Sequence, residues 1–225
     1  MRSETIIAQT RSIRSGLPAG VALVAAAKTR TPVEVMAAIA GGIDAVGFNY
    51  VQEGLRVHAG LVAGFGEAFT GRKLPFHLIG PLQANKIGKA LTLFSAIETV
   101  ADAATAAAID QRAQTAVAVL IQVNIGGEAA KSGAVPETVP ALAAALRELT
   151  RLRLRGLMVI EPFVEDPDGA RPHFRAMRRL FEAVREQEGA GIAVLSMGMS
   201  HNYRAAVDEG ATEVRIGTAL FGPRP

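Results

Sequence analysis

Short apolar, β-favouring runs alternate along this chain with longer stretches that are rich in alanine and have helical periodicity. One helical stretch begins at Thr31-Pro32-Val33-Glu34, where Thr caps, Pro takes the first helical position and Glu completes a capping box. The pattern predicts repeated βα units. The eight expected strands are Val21–Ala27, Ile43–Gly47, Phe76–Gly80, Leu93–Glu98 (counted from Phe94), Ala118–Asn124, Leu154–Ile160, Ile192–Gly198 and Thr212–Gly217.

Eight parallel βα units with right-handed crossovers favour an α/β fold, and within that class a single TIM-like (β/α)8 barrel. An open doubly wound sheet is the alternative. After the eighth strand only Thr218–Pro225 remain, which is too short for a full last helix. We expect an extra N-terminal helix, Arg2–Arg14, to cover that strand with Ile6, Ile7 and Ile13 facing inward.

Composition limits the classes of protein to which the chain can belong. Its 225 residues suit one domain spanning 1–225, and 49% are hydrophobic and 20% charged, as in a globular protein. The chain has no cysteine, which excludes disulfides and thiolate metal sites. Without a signal-peptide core or an apolar run long enough to cross a membrane, we expect a cytoplasmic protein. A net charge of +3 without a recognition motif argues against nucleic-acid binding.

The strand ends carry unexpectedly polar residues. In a barrel of this kind the carboxyl ends of all strands meet at one mouth, where active sites lie. The residues expected there are Lys28, Asn49, His77, Glu98, Asn124, Met158, Ser196–Ser200 and Arg215–Thr218. We therefore place the functional site at this mouth.

Lys28 follows seven apolar residues and ends the first predicted strand. Burial favours the neutral, nucleophilic form of an amine, which suits Schiff-base chemistry. The alternative is an ordinary rim lysine whose amine reaches solvent.

Two glycine-bearing loops, Ser196–Ser200 and Arg215–Thr218, follow the seventh and eighth strands, where such barrels often bind phosphate. Their glycines allow close backbone approach, Ser200 and Thr218 add hydroxyl groups, and a helix beginning near Ser200 would direct N–H groups at an anion. Alternatively, the glycines only turn the chain and Ser200 only caps a helix.

Arg215 lies between Val214 and Ile216, so strand alternation can direct it into the barrel. A buried cation needs a partner, either a ligand or a carboxylate such as Glu98 or Glu213. His77 could be functional or a satisfied core histidine. The four histidines have no metal-ligand spacing and there is no Walker-type loop, so we expect neither a metal nor a nucleotide.

Seven segments follow one another in a specific order along the chain. They are VAAAKTR around Lys28, GFNYVQE at 47–53, FHLIGPLQANK at 76–86, IQVNIGGEAAKSG at 121–133, RGLM at 155–158, LSMGMS at 195–200 and VRIGTALFG at 214–222. In this order they resemble the pyridoxal phosphate homeostasis protein family, relatives of the alanine racemase barrel, and the resemblance runs from about residue 5 to the C-terminus. The resemblance implies a fold-type III barrel that binds pyridoxal 5′-phosphate (PLP).

The same resemblance implies a role for each matching residue. Lys28 would hold PLP as a Schiff base, and Arg215 would face the pyridine nitrogen. The phosphate would be held by Ser200, Gly217 and Thr218. The ring would be lined by Asn49, His77 and Met158.

The chain departs from the family pattern at Phe48, Pro81, Ala84 and Gly126, and at the pair His201-Asn202. These departures leave the predicted PLP contacts in place. They put in doubt a lysine relay by Lys86 or Lys131 at the rim.

The function implied is binding, buffering and delivery of PLP, without catalysis. Apo PLP-dependent enzymes would be its further partners. We expect the protein to be a monomer or a weak dimer. A PLP-dependent amino-acid racemase is the alternative. It would need a second acid–base group, for which Tyr50 and His77 are candidates because we expect no second domain. A third possibility is a metabolic barrel enzyme with a different phosphate ligand.

Overall fold

The computed structural model describes residues 2–127, 132–162 and 164–223. Within them, eight parallel strands follow one another around a closed barrel, and the first strand pairs with the eighth. The strands are β1 (Ala22–Ala26), β2 (Ala45–Phe48), β3 (Phe76–Leu78), β4 (Ala96–Val100), β5 (Val117–Val123), β6 (Leu152–Val159), β7 (Val194–Ser196) and β8 (Glu213–Ile216). The predicted barrel is confirmed, and the open doubly wound alternative is wrong.

Helices surround the barrel. The α-helices are α1 (Arg2–Gly16), α2 (Pro32–Gly41), α3 (Val51–Phe65), α4 (Glu67–Thr70), α5 (Ile87–Ala90), α6 (Ala103–Arg112), α7 (Val139–Arg147), α8 (Arg171–Glu188), α9 (Tyr203–Asp208) and α10 (Thr218–Phe221). Short 3-10 helices span Ala84–Lys86, Pro136–Thr138 and Pro167–Ala170. No helix of the described residues is both long and apolar enough to cross a bilayer.

Each predicted strand overlaps an observed one, and at two strands the observed boundary lies two residues outside the predicted range. β4 continues to Val100, two residues beyond the predicted end at Glu98. The charge of Glu98 suggested a strand end, but its side chain is fully buried and hydrogen-bonded inside the barrel. β6 begins at Leu152, two residues early, because Leu152 and Arg153 already pair with β5.

The predicted capping box is present at the start of α2. Thr31 adopts an extended conformation, its side chain accepts the backbone N–H of Glu34, and Glu34 accepts the backbone N–H of Thr31 in return. Glu34 also forms an ion pair with Arg2 of α1 at 2.6 Å. The capping residue therefore also attaches α1 to α2.

The N-terminal helix fills the gap left by the short last helix, as predicted. α1 packs against both α2 and α10, with Ile6 fully buried and Ile7 and Ile13 partly buried against the core. The approach to α2 is close, because a Cβ on Gly41 would lie 2.4 Å from the Cβ of Thr10. The ring of helices is thus closed by the beginning of the chain.

The two faces of the barrel wall have different chemistry. The outer face packs a continuous layer of Val, Ile, Leu and Phe against the helices, which drives closure through burial of apolar surface. On the inner face, strand alternation places Val24, Leu120 and Met158, together with the polar side chains described below. The inside of the barrel is therefore where the site is built.

A glycine in β6 is required by the packing of the barrel wall. The register of the β5–β6 pair shifts between Val119 and Leu120, next to Gly156. A Cβ on Gly156 would lie 1.7 Å from the carbonyl oxygen of Val194 in β7. Any side chain there has to push two strands apart.

We expect Gly156→Ala to lower the free energy of unfolding by about 3 kcal/mol, the upper range for overpacking. Gly64→Ala is the matched control, because a Cβ at that helical position meets nothing within 4 Å. The control should gain about 0.5–1 kcal/mol from helix propensity. Urea denaturation of both variants tests this, and equal effects would contradict the argument.

Candidate functional site

The residues predicted at the mouth of the barrel surround a cavity of about 220 Å³. Its lining consists of Ala26, Lys28, Arg30, Asn49, Met199, Ser200, His201, Arg215, Gly217 and Thr218. Six of the eight predicted site residues are in this set, which the structure brings together from the ends of β1 and β8 and from the loops after β1, β2, β7 and β8. His77 and Met158 are not in it.

Lys28 is two residues beyond β1, and its side chain is half-buried. The next residue, Thr29, has a left-handed backbone (φ 65°) and donates its N–H to the carboxylate of Glu53 on α3. The amine of Lys28 lies 5.4 Å from the centroid of the Tyr50 ring. The lysine is therefore held at the cavity wall by a fixed turn.

Ser200 lies opposite the start of α10. Its hydroxyl oxygen accepts the backbone N–H groups of Gly217 and Ala219, each at 3.2 Å. We expected a helix to begin near Ser200, but α9 begins at Tyr203, because Ser200 to Asn202 form a turn. The N–H groups that converge at Ser200 come from the last loop instead.

Gly198 permits the turn that brings Ser200 to the cavity. Its backbone is left-handed (φ 93°), and a Cβ there would lie 2.5 Å from the Cβ of Ala206. Asn202, also buried, stabilises the same turn: it accepts the N–H of Met199 at 2.9 Å and donates to Glu161 at 2.7 Å. Asn202, one of the departures from the family pattern, thus holds the loop in place through these two hydrogen bonds.

Arg215 points into the barrel and is 5% exposed, as alternation along β8 allowed. Its guanidinium donates to the Ser196 hydroxyl and to the carbonyl of Val159, both at 2.6 Å. Its partner is therefore not Glu98 or Glu213 directly, which was one sequence-based expectation. The Ser196 hydroxyl instead donates to Glu98 at 3.0 Å and so links the cation to a carboxylate.

His77 is outside the lining of the cavity, and its Nδ1–H donates to Glu98 at 2.7 Å. Burial works against a charged imidazole, but the hydrogen bond and negative charge of Glu98 raise the pKa of His77 overall. Burial likewise opposes ionisation of Glu98, but the hydrogen bond from His77, with the charges of His77 and Arg215, lowers its pKa. Each group therefore favours the charged form of the other.

Met158 is fully buried on β6, in register with Gln122 of β5 and Ser196 of β7. It is not among the residues that line the cavity.

Glu213 is two residues before Arg215 on the same face of β8 and is also buried. Burial and the neighbouring charge of Glu98 raise the pKa of Glu213 to about 8, so this carboxyl is mostly neutral at pH 7. His77, Glu98 and Glu213 offer ligand atoms within 4.8 Å of one another. The expectation that the chain binds no metal therefore stays a prediction.

Two residues of the cavity wall, Arg30 and His201, were not singled out from the sequence as site residues. Arg30 is buried and donates to the carbonyl groups of Gly222 and Pro223. His201 contacts the carbonyl oxygen of Glu165 at 2.9 Å. Arg30 directly precedes the N-cap Thr31 of α2 and comes two residues after Lys28, and this closeness to Lys28 was the available signal.

The other departures from the family pattern lie in different environments. Phe48 is fully buried and stacks on Phe76 with ring centroids 5.9 Å apart, so it contributes to the core rather than to the rim. Pro81 is exposed beside Asn49, and Ala84 begins the 3-10 helix that ends at Lys86. Gly126 is exposed in the turn after β5. Lys131 lies outside the described residues.

The sequence of this chain is similar to that of known proteins along most of its length. The model of the alanine racemase N-terminal domain family matches residues 2–225. The pyridoxal phosphate homeostasis protein of Pseudomonas aeruginosa is 42% identical over 211 residues, covering 92% of this chain and 86% of the relative. The protein of the same name from Aquifex aeolicus is 37% identical over 205 residues, covering 90% and 86%.

Solved structures have the same barrel. PipY of Synechococcus elongatus, solved with PLP bound, superposes with a TM-score of 0.84 at 32% identity and covers 96% of this chain and 100% of PipY. Alanine racemase of Corynebacterium glutamicum has a TM-score of 0.76 at 18% identity, covering 99% of this chain and 61% of the racemase. The second likeness concerns the fold alone.

The buried carboxyl of Glu213 predicts a pH-dependent stability. Its pKa in the folded protein, about 8, exceeds the ordinary value of 4.5, so the protonated form is favoured by folding. That contribution is complete below pH 4.5 and is lost as pH rises through about 8. Wild type should therefore lose stability relative to Glu213→Gln over this range, on the order of 1.4 kcal/mol per unit of pKa shift.

Denaturation midpoints of both proteins across this pH range measure the difference. Glu186→Gln, at an exposed position of α8, is the control and should run parallel to wild type. A constant difference between wild type and Glu213→Gln would contradict the raised pKa.

Proposed function

We propose, because the chain belongs to the pyridoxal phosphate homeostasis protein family, that it binds PLP through Lys28 and serves as a PLP reserve. The observation that carries this proposal is the cavity of about 220 Å³ in which Lys28, Asn49, Arg215 and the two glycine-bearing loops meet. PLP would contribute an aldehyde that condenses reversibly with a primary amine. Lys28 is the amine that lines this cavity.

The loops after β7 and β8 fit the phosphate group. The N–H groups of Gly217 and Ala219 already converge on one oxygen, the hydroxyl of Ser200, so this corner is arranged to donate hydrogen bonds. Gly217 keeps the corner open, because a Cβ there would lie 3.2 Å from the carbonyl oxygen of Ala26. We assign phosphate binding to Ser200, Gly217 and Thr218.

Arg215 would face the pyridine ring, with Asn49 also beside it. A guanidinium is always protonated and can only donate hydrogen bonds, so a ring nitrogen next to it stays unprotonated. An unprotonated ring is a weaker electron sink. Arg215 therefore favours storage of the cofactor over chemistry at a substrate carbon.

We assign His77 and Met158 a supporting role below the ring instead of contact with it. Both are absent from the lining of the cavity, and His77 is engaged with Glu98. This weakens the racemase alternative, which used His77 as a candidate second acid–base group. Tyr50, half-exposed beside the Lys28 amine, is the candidate that remains.

Apo PLP-dependent enzymes are the partners that we propose as recipients. Tyr50, Ile160 and Met199 are exposed apolar side chains that follow β2, β6 and β7, so they lie at the mouth. A protein that received the cofactor directly would contact these residues. The reversible bond to Lys28 would allow release.

We expect wild type incubated with PLP to develop a visible absorption band and to carry the cofactor covalently at Lys28 after borohydride reduction. Lys28→Ala should do neither, because it lacks the amine. Lys89→Ala, an exposed lysine on α5, is the matched control and should behave as wild type. Peptide mapping of the reduced protein locates the adduct, and its absence from wild type would leave the cavity to a different phosphate ligand.

Catalysis is tested separately with a panel of amino acids. We expect PLP-loaded wild type to racemise none of them faster than Lys28→Ala, because Arg215 weakens the ring as an electron sink. Chiral chromatography of the products measures the rates. A rate above this control that is lost in Tyr50→Phe would establish the racemase alternative.

A further inference from the structure

A chain of hydrogen bonds crosses the interior of the barrel from one wall to the other. His77 of β3 donates to Glu98 of β4, Ser196 of β7 donates to the same carboxylate, and Arg215 of β8 donates to Ser196. In the closed order of strands, β3 and β4 lie opposite β7 and β8. Glu98 and Ser196 are fully buried at the centre of this chain.

Glu98 determines how the central hydroxyl is oriented. Ser196 has one hydroxyl hydrogen, which it donates to Glu98 Oε2, and this leaves its lone pairs for the guanidinium of Arg215. The other oxygen of Glu98 is occupied by His77. A carboxylate only accepts, so the direction of every bond in the chain is fixed.

Glu98 also supplies the charge that a buried guanidinium needs. The direct partners of Arg215, the Ser196 hydroxyl and the Val159 carbonyl, are both neutral. Glu213 lies nearby on the same strand, but burial and the charge of Glu98 raise its pKa, which favours its neutral form. Ser196 donates its hydroxyl hydrogen to Glu98, so the carboxylate linked to Arg215 through this hydroxyl is that of Glu98.

We propose that Glu98, acting through Ser196, is a positioning residue that fixes the Arg215 guanidinium in the cavity wall and thereby determines the electronic state of the bound PLP ring. The inference rests on the proposed function, since Arg215 is the group assigned to the ring. Two of the guanidinium N–H groups are held by Ser196 and Val159, and Arg215 also lines the cavity. These two bonds leave other N–H groups of the guanidinium for a ligand.

The test compares Glu98→Gln and Ser196→Ala with wild type, each loaded with PLP at one fixed pH. Glu98→Gln keeps the shape but removes the charge, and Ser196→Ala removes the link while leaving the His77–Glu98 pair. We expect both to shift the position of the visible band of bound PLP. Both should release PLP about tenfold faster, since the loss of a hydrogen bond to a charged group weakens an interaction by roughly this factor.

Thr99→Val is the matched control. Thr99 is the next residue on β4, is buried, and donates a hydrogen bond of 2.9 Å to the carbonyl of Gly80, outside the chain described above. Its loss should lower stability without moving the band. A residue with a merely structural role lowers stability or affinity when it is replaced, but it does not change the electronic state of the PLP ring. The position of the visible band therefore distinguishes a positioning role of Glu98 from a structural one.

Three outcomes would overturn the inference. If Glu98→Gln and Ser196→Ala carry PLP on Lys28 with the band position of wild type, positioning is refuted while the proposed function stands. If Thr99→Val shifts the band equally, the effect belongs to any lost buried hydrogen bond. If wild type itself forms no adduct with PLP, the proposed function fails and the inference fails with it.

Discussion

A permanent positive charge inside a barrel has to be neutralised and hydrogen-bonded where it lies, because moving it out of water costs several kcal/mol or more. In this protein that charge is Arg215. Its requirements explain why the upper interior contains Ser196, Glu98 and His77 rather than the branched apolar residues that usually fill such barrels. Removing one member would leave the others buried without their partners.

The barrel interior and the mouth of the cavity have different roles: the interior supports the site, and the mouth presents the groups that contact a ligand. Below, buried hydrogen bonds join side chains of β3, β4, β7 and β8 across the interior. Above, Lys28 and the loops after β7 and β8 present an amine, hydroxyls and backbone N–H groups to the cavity. A binding site on a rigid support keeps its geometry whether or not a ligand is present, which suits a protein that takes up and releases one molecule reversibly.

Much of the fold could be predicted from the sequence, because hydrophobic runs of strand length repeat eight times and the helix start at Thr31 has a complete capping signal. The boundaries that failed, at Val100 and Leu152, lie where a charged residue is inside a strand. The residues around the cavity could be predicted because strand ends converge in a parallel barrel. The bond from Ser196 to Glu98 could not, because it joins residues 98 positions apart across the interior.

The helix α1 and the loop around Arg30 both contact the end of the chain, α1 through α10 and Arg30 through the carbonyls of Gly222 and Pro223. Contacts separated by almost 200 positions close long loops, and loop closure costs entropy before the contacts are gained. α1 can pack on α2 early, but its contact with α10 and those of Arg30 form only after β8 and the residues that follow it are in place. The same late strand supplies Arg215 to the cavity wall, so the outer ring and the cavity are completed together.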